Sequence, residues 1–351
     1  MTRKKNAATK RTAIRRPSSK KRRVLYVGIY LLFIGGLVWF AGKAYVWYRF
    51  GVPVIGKKEV SSVWEGFYPN LKTTGLADAV ISKNDGNFDV LLLGASVLDQ
   101  VAARLERQLN ERIEEPVRVF NTSDNALTSR DSFLKFRYLK DKHFDLIVVY
   151  HGINDARMNC CPADQFKDDY THCLYYKVFD CLVNGDPLPV KQVLANLIPF
   201  EAPSPTMLAD GAKIKTDRPF RTNLEAIAEQ AAANDQLVML MTFAYYIPED
   251  YSMERLRSGQ LDYGPRQVEF VCPAELWGTP KNLTNTIDAH NREVIAIADR
   301  FENVVFVDQL KNITPSGTNF SDPCHLTDAG CQLFVDKLMS QLSRRLPATN
   351  N

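Results

Sequence analysis

The sequence predicts a three-layer α/β/α sandwich around a mostly parallel five-stranded sheet, preceded by one N-terminal transmembrane helix. Two observations predict the sandwich. Short apolar runs alternate with amphipathic stretches along residues 87–346, and each run is bounded by turn residues. Continuous apolar runs are typical of strands buried on both faces, and strand–helix alternation is typical of a parallel sheet. A third observation, an uncharged stretch of 19 residues at 24–42, predicts the transmembrane helix.

The uncharged stretch is flanked in the way expected of a membrane anchor. Residues 1–23 contain eleven Lys and Arg and no acidic residue, and three aromatic residues follow the stretch, at Tyr45, Trp47 and Tyr48. The aromatic residues fit an interfacial belt, and the positive-inside rule places residues 1–23 in the cytoplasm and the rest of the chain outside. We therefore expect a single-pass membrane protein with an extracytoplasmic body.

Two other interpretations of residues 24–42 fit less well. A buried core helix would show a polar face, which this stretch lacks. A cleaved signal peptide would have a shorter apolar core and a better cleavage site than Ala41-Gly-Lys-Ala44. An uncleaved signal anchor is the interpretation that we favour.

The charge distribution argues against nucleic acid as a partner. The whole chain of 351 residues has a net charge of +4, so removing the eleven positive charges of residues 1–23 leaves −7 on the remainder. A phosphate-binding fold would instead carry a basic patch. We expect no nucleic-acid partner.

Five strands and five helices are predicted in order after a connector at residues 43–86. The apolar runs predict strands at Phe88–Leu93, Val117–Phe120, Asp145–Tyr150, Gln236–Ala244 and Val304–Asp308. Helical spacing of apolar residues predicts helices at Val97–Ile113, Ser129–Leu139, Arg221–Asn234, Asn285–Phe301 and Thr327–Leu346, the last with Thr327 as its N-cap. Residues 347–351 form a short tail.

Two long stretches interrupt this alternation, at residues 157–218 and 245–282. The first holds four of the seven cysteines, and the second is rich in tyrosine, proline and charge. Both follow strands at the edge where open α/β sheets bind ligands, so we expect lids or substrate-binding walls rather than neutral decoration. The cysteines suit an oxidising compartment, and we expect Cys160, Cys161, Cys173 and Cys181 to form disulfides within the first insertion.

Three motifs stand just after strands at that edge. The first is Gly94-Ala-Ser96-Val, in which Ser96 begins a helix and would need a neighbouring base to act as a nucleophile. The second is Gly152-Ile-Asn154-Asp155, in which the Asn154 amide can donate to an oxyanion. The third is Asp322-Pro-Cys-His325, whose spacing lets the carboxylate orient the imidazole. The functional residue of each motif could instead be a helix N-cap or a turn residue with a purely structural role. The three motifs together, however, supply a full catalytic set.

These three motifs, in this order and strand context, resemble those of the SGNH (GDSL-like) hydrolases over about residues 87–346. The resemblance implies a flavodoxin-like sheet and ester hydrolysis through an acyl-enzyme, with Ser96 as nucleophile, His325 as base and Asp322 as its orienting residue. It implies an oxyanion hole made of the Ser96 amide, the Ala126 amide and the Asn154 side chain, supported by Gly152 and Asp155. No metal or cofactor is implied.

The chain departs from the family pattern at two positions. Ala95 replaces the aspartate of the first motif, and Ala126 stands where the family has a glycine that donates its backbone N–H. Alanine keeps the N–H but lacks the freedom of glycine at positive φ. His151 is expected to be a packed, hydrogen-bonded histidine. Cys324 is expected to be structural, paired with Cys272 or with Cys331.

The resemblance leaves three functions open. The first is a membrane-anchored serine esterase whose ester substrate is an acylated, for example O-acetylated, carbohydrate. The second is an O-acyltransferase for an envelope or exported polysaccharide, which would need a membrane partner to deliver the acyl donor. The third is a catalytically retired carbohydrate-binding protein, against which the retention of the full catalytic set argues.

Overall fold

The computed structural model describes residues 19–50, 60–187, 203–268 and 271–345. Parts of the predicted tails, connector and insertions lie outside these ranges, at residues 1–18, 51–59, 188–202, 269–270 and 346–351. The chain divides into two compact units, Met1–Gly56 and Lys57–Asn351.

The first unit contains one long helix, α1, at Ser19–Phe50. Within it, Arg22–Tyr48 is long and apolar enough to cross a membrane. The predicted stretch 24–42 lies inside that segment. Length and composition alone support this assignment, and a signal sequence near an N-terminus has the same properties.

The second unit is built on a five-stranded, all-parallel sheet, which confirms the predicted fold class. The strands are in the order β2-β1-β3-β4-β5. Their bounds are β1 Phe88–Gly94, β2 Val117–Asn121, β3 Leu146–Tyr150, β4 Leu237–Met241 and β5 Val304–Val307. The chain passes from β1 to β2 on one side and then to β3 on the other, so the strand order reverses between β1 and β3. Ligands of open α/β sheets bind at such a point.

The register of the two central strands brings their carboxyl ends together. Gly94, the last residue of β1, pairs with Tyr150, the last residue of β3. The residues that follow these strands, the first and second motifs, therefore start side by side.

Helices cover the sheet on both faces. The described helices of this unit are α2 Val60–Phe67, α3 Asn70–Thr73, α4 Ser96–Arg112, α5 Ser129–Tyr138, α6 Ile153–Ala156, α7 Leu174–Asn184, α8 Pro205–Asp210, α9 Asp217–Ala233, α10 Met253–Arg257, α11 Pro280–Arg300, α12 Gln309–Asn312 and α13 Asp328–Leu342. Helix α4 packs against α13, whereas α9 packs against α5 and α11. Val90 and Leu92 of β1 are buried in a core cluster with α4 and α13. Because side chains alternate along a strand, Leu91 and Leu93 point to the other face, where they are equally buried.

All five predicted strands are present, but two helices begin earlier than predicted. Helix α9 begins at Asp217 and α11 at Pro280, whereas the predicted starts are Arg221 and Asn285. Both first turns contain a proline, which a helix tolerates there because the first-turn N–H groups lack helical partners. Thr279 caps α11 by accepting from the Asn282 N–H. The insertions therefore end at Thr216 and Thr279 rather than at residues 218 and 282, and they contain helices of their own, α7, α8 and α10.

The predicted connector 43–86 belongs largely to the second unit, which starts at Lys57. The Trp64 ring on α2 is buried, stacks on Tyr138 at a centroid distance of 4.6 Å and meets Phe179 edge-on at 4.9 Å. The Tyr68 hydroxyl donates to the buried carboxylate of Asp131 at 3.0 Å. Residues 60–86 are thus an integral layer of the domain.

Candidate active site

Ser96 is the first residue of α4, directly beyond the carboxyl end of β1. Ala95 precedes it with extended backbone (φ −118°, ψ −160°), so the chain turns sharply from strand to helix. Gly94 is required by close packing, because an added Cβ would lie 2.6 Å from Cβ of Leu98. The Ser96 side chain is half-buried and faces a small space beside the sheet edge.

The third motif reaches Ser96 from the far end of the sequence. The His325 Nε2 lies 2.9 Å from the Ser96 Oγ, and the His325 Nδ1 lies 2.7 Å from an Asp322 carboxylate oxygen. Both motif residues are buried, Asp322 completely. The structure therefore brings Ser96, His325 and Asp322 into one hydrogen-bonded chain.

Asp322 is held as an ionised acceptor. Burial by itself would raise its pKa, but the hydrogen bond and electrostatic interaction with His325 and the backbone N–H groups of His325 and Cys324 lower the pKa below its ordinary value. The Cys272 N–H also donates to this carboxylate, at 3.3 Å. Because a carboxylate only accepts, the His325 Nδ1 must carry the proton, which leaves Nε2 to accept from the Ser96 hydroxyl. This is the tautomer that a general base requires.

Gln100 fastens the His325 loop to the helix that carries Ser96. Its Nε2 donates to the Leu326 carbonyl at 2.6 Å, and its Oε1 accepts from the Leu326 N–H at 3.1 Å. Gln100 lies one helical turn after Ser96, so the two backbone bonds to Leu326 set the distance between Ser96 and His325. Gln100 was not predicted from the sequence, although its i+4 spacing from Ser96 places it on the same helix face.

Asn154 lies on α6 and lines the same space as Ser96. Its Nδ2 donates to the Leu127 carbonyl at 3.0 Å, and its Oδ1 accepts from the Trp277 indole N–H at 2.8 Å. Gly152, which precedes α6, is required because an added Cβ would lie 2.6 Å from Cβ of Phe243. One Nδ2 hydrogen of Asn154 is free of these two contacts and available to an oxyanion.

Ala126 lies in the loop between β2 and α5 in the left-handed region, at φ 59°. This is the conformation for which glycine is normally used, so Ala126 adopts a backbone geometry that its Cβ disfavours. Its neighbour Leu127 accepts from Asn154, which links this loop to the second motif. Ala126 itself does not line the space beside Ser96.

Asp155 ties α6 to the start of α5. Its carboxylate accepts from the Ser129 N–H at 2.9 Å, the Ser129 hydroxyl at 2.6 Å and the Tyr170 hydroxyl at 3.0 Å. Burial raises the pKa of Asp155 to about 7, although its hydrogen bonds with Ser129 and Tyr170 oppose the rise. Tyr170 has φ 55°, so a second strained residue supports the site.

A second buried carboxylate, that of Asp131, holds the loop that carries Ala126. Asp131 on α5 accepts from the Tyr68 hydroxyl at 3.0 Å, the Tyr176 hydroxyl at 2.6 Å and the Thr128 N–H at 2.7 Å. Tyr68 comes from the predicted connector and Tyr176 from the first insertion. Both segments therefore brace the loop that carries Ala126. The Thr128-x-x-Asp131 spacing of a capping box is the sequence signal that could have revealed Asp131.

The seven cysteines are all free thiols, so the expected disulfides are not formed in this structure. The Cys324 Sγ lies 3.5 Å from the His325 Nδ1 rather than being bonded to Cys272 or Cys331. Burial, followed by the charge of Asp322, raises the pKa of Cys324 well above its ordinary value, so the thiol stays protonated. In the first insertion, the Cys173 thiol contacts the Met158 sulfur at 3.4 Å.

His151 is packed, as the sequence predicts, with its Nε2 2.6 Å from the Ser132 hydroxyl oxygen. Burial and the nearby Lys135 lower the pKa of His151 to about 3, so it is neutral. Among the described residues, the metal-ligating atoms of Cys272, Asp322 and His325 lie within 4.8 Å of one another. The hydrogen bonds of His325 to Asp322 and Ser96 already account for that histidine's two nitrogens.

The space beside Ser96 has a volume of about 230 Å³, including its opening to solvent. Its walls are mainly apolar and backbone, and they are formed by Ala95, Ser96, Val97, Tyr150, His151, Gly152, Ile153, Asn154 and Phe243.

No protein-family model matches the chain, and no curated protein matches it. Among solved structures, the chain is similar to a GDSL-like lipase from Bacteroides thetaiotaomicron (TM-score 0.45, 15% identity, 80% of this chain and 98% of that one). It is similar to a lipase/acylhydrolase from Enterococcus faecalis (0.40, 15%, 75% and 99%). It is also similar to an acetylxylan esterase from Geobacillus stearothermophilus (0.43, 16%, 75% and 95%). At this identity and TM-score the similarity does not bear on activity.

Proposed function

We propose that this chain is a serine esterase of the SGNH type that acts through an acyl-enzyme. One observation carries the proposal, the unbroken hydrogen-bonded chain from Ser96 through His325 to Asp322. It lies where the strand order reverses between β1 and β3. The distances of 2.9 Å and 2.7 Å are within the range for a nucleophile, its base and the residue that orients the base.

The proposed reaction begins when His325 Nε2 takes the proton of the Ser96 hydroxyl as Oγ attacks the ester carbonyl carbon. The carbonyl oxygen becomes an oxyanion, which accepts from the backbone N–H of Ser96 and from the Asn154 amide. The intermediate collapses, and the departing alcohol takes the proton from His325. Water, deprotonated by His325, then attacks the acyl-serine in the same way and releases the acid and free Ser96.

The acyl group is proposed to be short, such as acetyl. The small space beside Ser96, whose walls include Phe243 and Ile153, supports this. The alcohol part of the substrate is proposed to be a carbohydrate outside the membrane. That part depends on the predicted signal anchor at residues 24–42, which would hold the domain on the extracytoplasmic side.

Labelling with a fluorophosphonate tests the proposal on the full-length chain in detergent micelles. We expect the wild type and a Ser258→Ala control, altered at an exposed serine on the domain surface, to be labelled. We expect Ser96→Ala to lose both labelling and the hydrolysis of aryl acetates. Equal turnover by Ser96→Ala would remove the proposed nucleophile. If the chain is labelled at Ser96 but transfers acetyl groups to a saccharide faster than to water, it is an acyltransferase.

A further inference from the structure

Trp277, in the second insertion, forms a hydrogen bond with Asn154, the proposed side-chain donor to the oxyanion. It follows a short 3₁₀ turn, Ala274–Leu276, and is buried. Its indole N–H donates to the Asn154 Oδ1 at 2.8 Å. The turn is itself held, because the Ala274 N–H donates to the Tyr251 hydroxyl at 2.8 Å and the Cys160 thiol contacts the Trp277 carbonyl at 3.6 Å.

The two partners of Asn154 fix which way its amide points. An indole N–H only donates and a backbone carbonyl only accepts, so the Asn154 oxygen must face Trp277 and its nitrogen must face Leu127. With one Nδ2 hydrogen on Leu127, the second is directed away from both partners. A flipped amide would set N–H against N–H at Trp277 and oxygen against oxygen at Leu127. Each contact would then leave buried polar groups unpaired.

We infer that Trp277 is a positioning residue that holds the Asn154 amide ready to receive the oxyanion, an inference that rests on the proposed esterase function. Accepting from the indole also polarises the amide, which strengthens the bond that Nδ2 donates. The benefit lies in the transition state, so loss of the indole N–H lowers kcat and leaves KM nearly unchanged. Loss of an oxyanion donor itself typically lowers kcat by roughly 10²–10³. Since Trp277 acts through that donor, we expect Trp277→Phe to lower kcat by about tenfold.

A double-mutant cycle separates positioning from packing, with kcat and KM for an aryl acetate measured on the full-length chain. Trp64→Phe is the matched control, because Trp64 and Trp277 are equally buried, each 7% exposed, and Trp64 contacts Tyr138 and Phe179 rather than the site. We expect Trp64→Phe to leave kcat unchanged. We expect Trp277→Phe to lower kcat by less than about twofold in an Asn154→Ala background. A full tenfold loss in that background would overturn the inference, because Trp277 would then act independently of Asn154.

A spectroscopic test does not depend on turnover or on the folding of Trp277→Phe. The chain contains four tryptophans, Trp39, Trp47, Trp64 and Trp277, so ¹⁵N-tryptophan labelling gives four indole signals. Phenylalanine substitution of the other three identifies the signal of Trp277 by elimination. We expect Asn154→Ala to move that signal upfield and Asn154→Asp to move it downfield, since the acceptor is removed in one and becomes charged in the other. A signal that moves in neither variant overturns the inference. Absence of any labelling at Ser96 would instead count against the esterase function alone.

Discussion

Replacement of Ala126 by glycine tests whether the loop after β2 has the backbone geometry of an oxyanion-hole glycine. Ala126 has φ 59°, in the left-handed region, where an L-residue with a Cβ is disfavoured by about 1–2 kcal/mol. Glycine removes that strain but loses about 0.5–1 kcal/mol because its unfolded chain is more flexible. The difference predicts a net stabilisation of about 0.5–1 kcal/mol. For a domain of this size, that corresponds to a rise in Tm of roughly 1–3 °C.

The matched control is Ala212→Gly. Ala212 is exposed in a turn after α8 and is not among the residues with positive φ. Without strain to relieve, this change should only add flexibility to the unfolded chain and lower Tm by roughly 1–3 °C. Thermal unfolding of both variants, followed by near-ultraviolet circular dichroism in the same detergent, gives the comparison. Because glycine keeps the backbone N–H, kcat of Ala126→Gly should equal that of the wild type. Equal losses of Tm in both variants would refute the left-handed assignment of Ala126.

Three further predictions concern the groups around the site. Asp322→Asn should lower kcat by about 10⁴ with little change in KM, because the amide stabilises the wrong tautomer of His325. Steady-state kinetics with an aryl acetate would check this. Gln100→Leu should lower the free energy of unfolding in urea by about 1–3 kcal/mol and should lower kcat, because it leaves the Leu326 backbone groups unpaired. The control Gln332→Leu, at an exposed residue of α13, should change neither the free energy of unfolding nor kcat. Burial lowers the pKa of His290 to about 4 and that of His151 to about 3, so the stability that they contribute is complete above about pH 6.5 and is lost as the pH falls toward those values. Asp155, with its pKa raised to about 7, acts oppositely, so these three groups together act as one titrating group between about pH 4 and 6.5 and contribute about 1.4 kcal/mol per pH unit. His290→Gln should therefore reduce the slope of unfolding free energy against pH in this range, and an unchanged slope would contradict the assignment.

The parts of this protein that follow from local pattern were predictable from its sequence. The strand that ends at Gly94 and the strand that ends at Tyr150 are continuous apolar runs, and burial on both faces requires that composition. The motif residues at their ends converge because parallel strands end at one edge. The predicted starts of α9 and α11 were too late, because Pro219 and Pro280 lie in the first turns of these helices, where proline is tolerated.

The supporting residues were not predictable because their partners are distant in sequence. Gln100 bonds to Leu326, and Trp277 bonds to Asn154, across 226 and 123 positions. Neither residue type carries a local motif, and only the folded sheet brings the pairs together. The free cysteines illustrate the same limit, since pairing depends on sulfur geometry that composition does not contain.

The strand order has a consequence for the order of synthesis. The loop that carries His325 follows β5, at one edge of the sheet, yet its imidazole meets Ser96 beside β1, across 229 positions and past β4 and β3. A chain emerging from the ribosome therefore presents Ser96 long before it has a base. In the proposed mechanism, the Ser96 hydroxyl stays unreactive until α13 packs against α4 and closes the loop. A nascent or truncated chain would carry Ser96 without the base proposed for it, so the proposed activity would require the chain to be made and folded through α13.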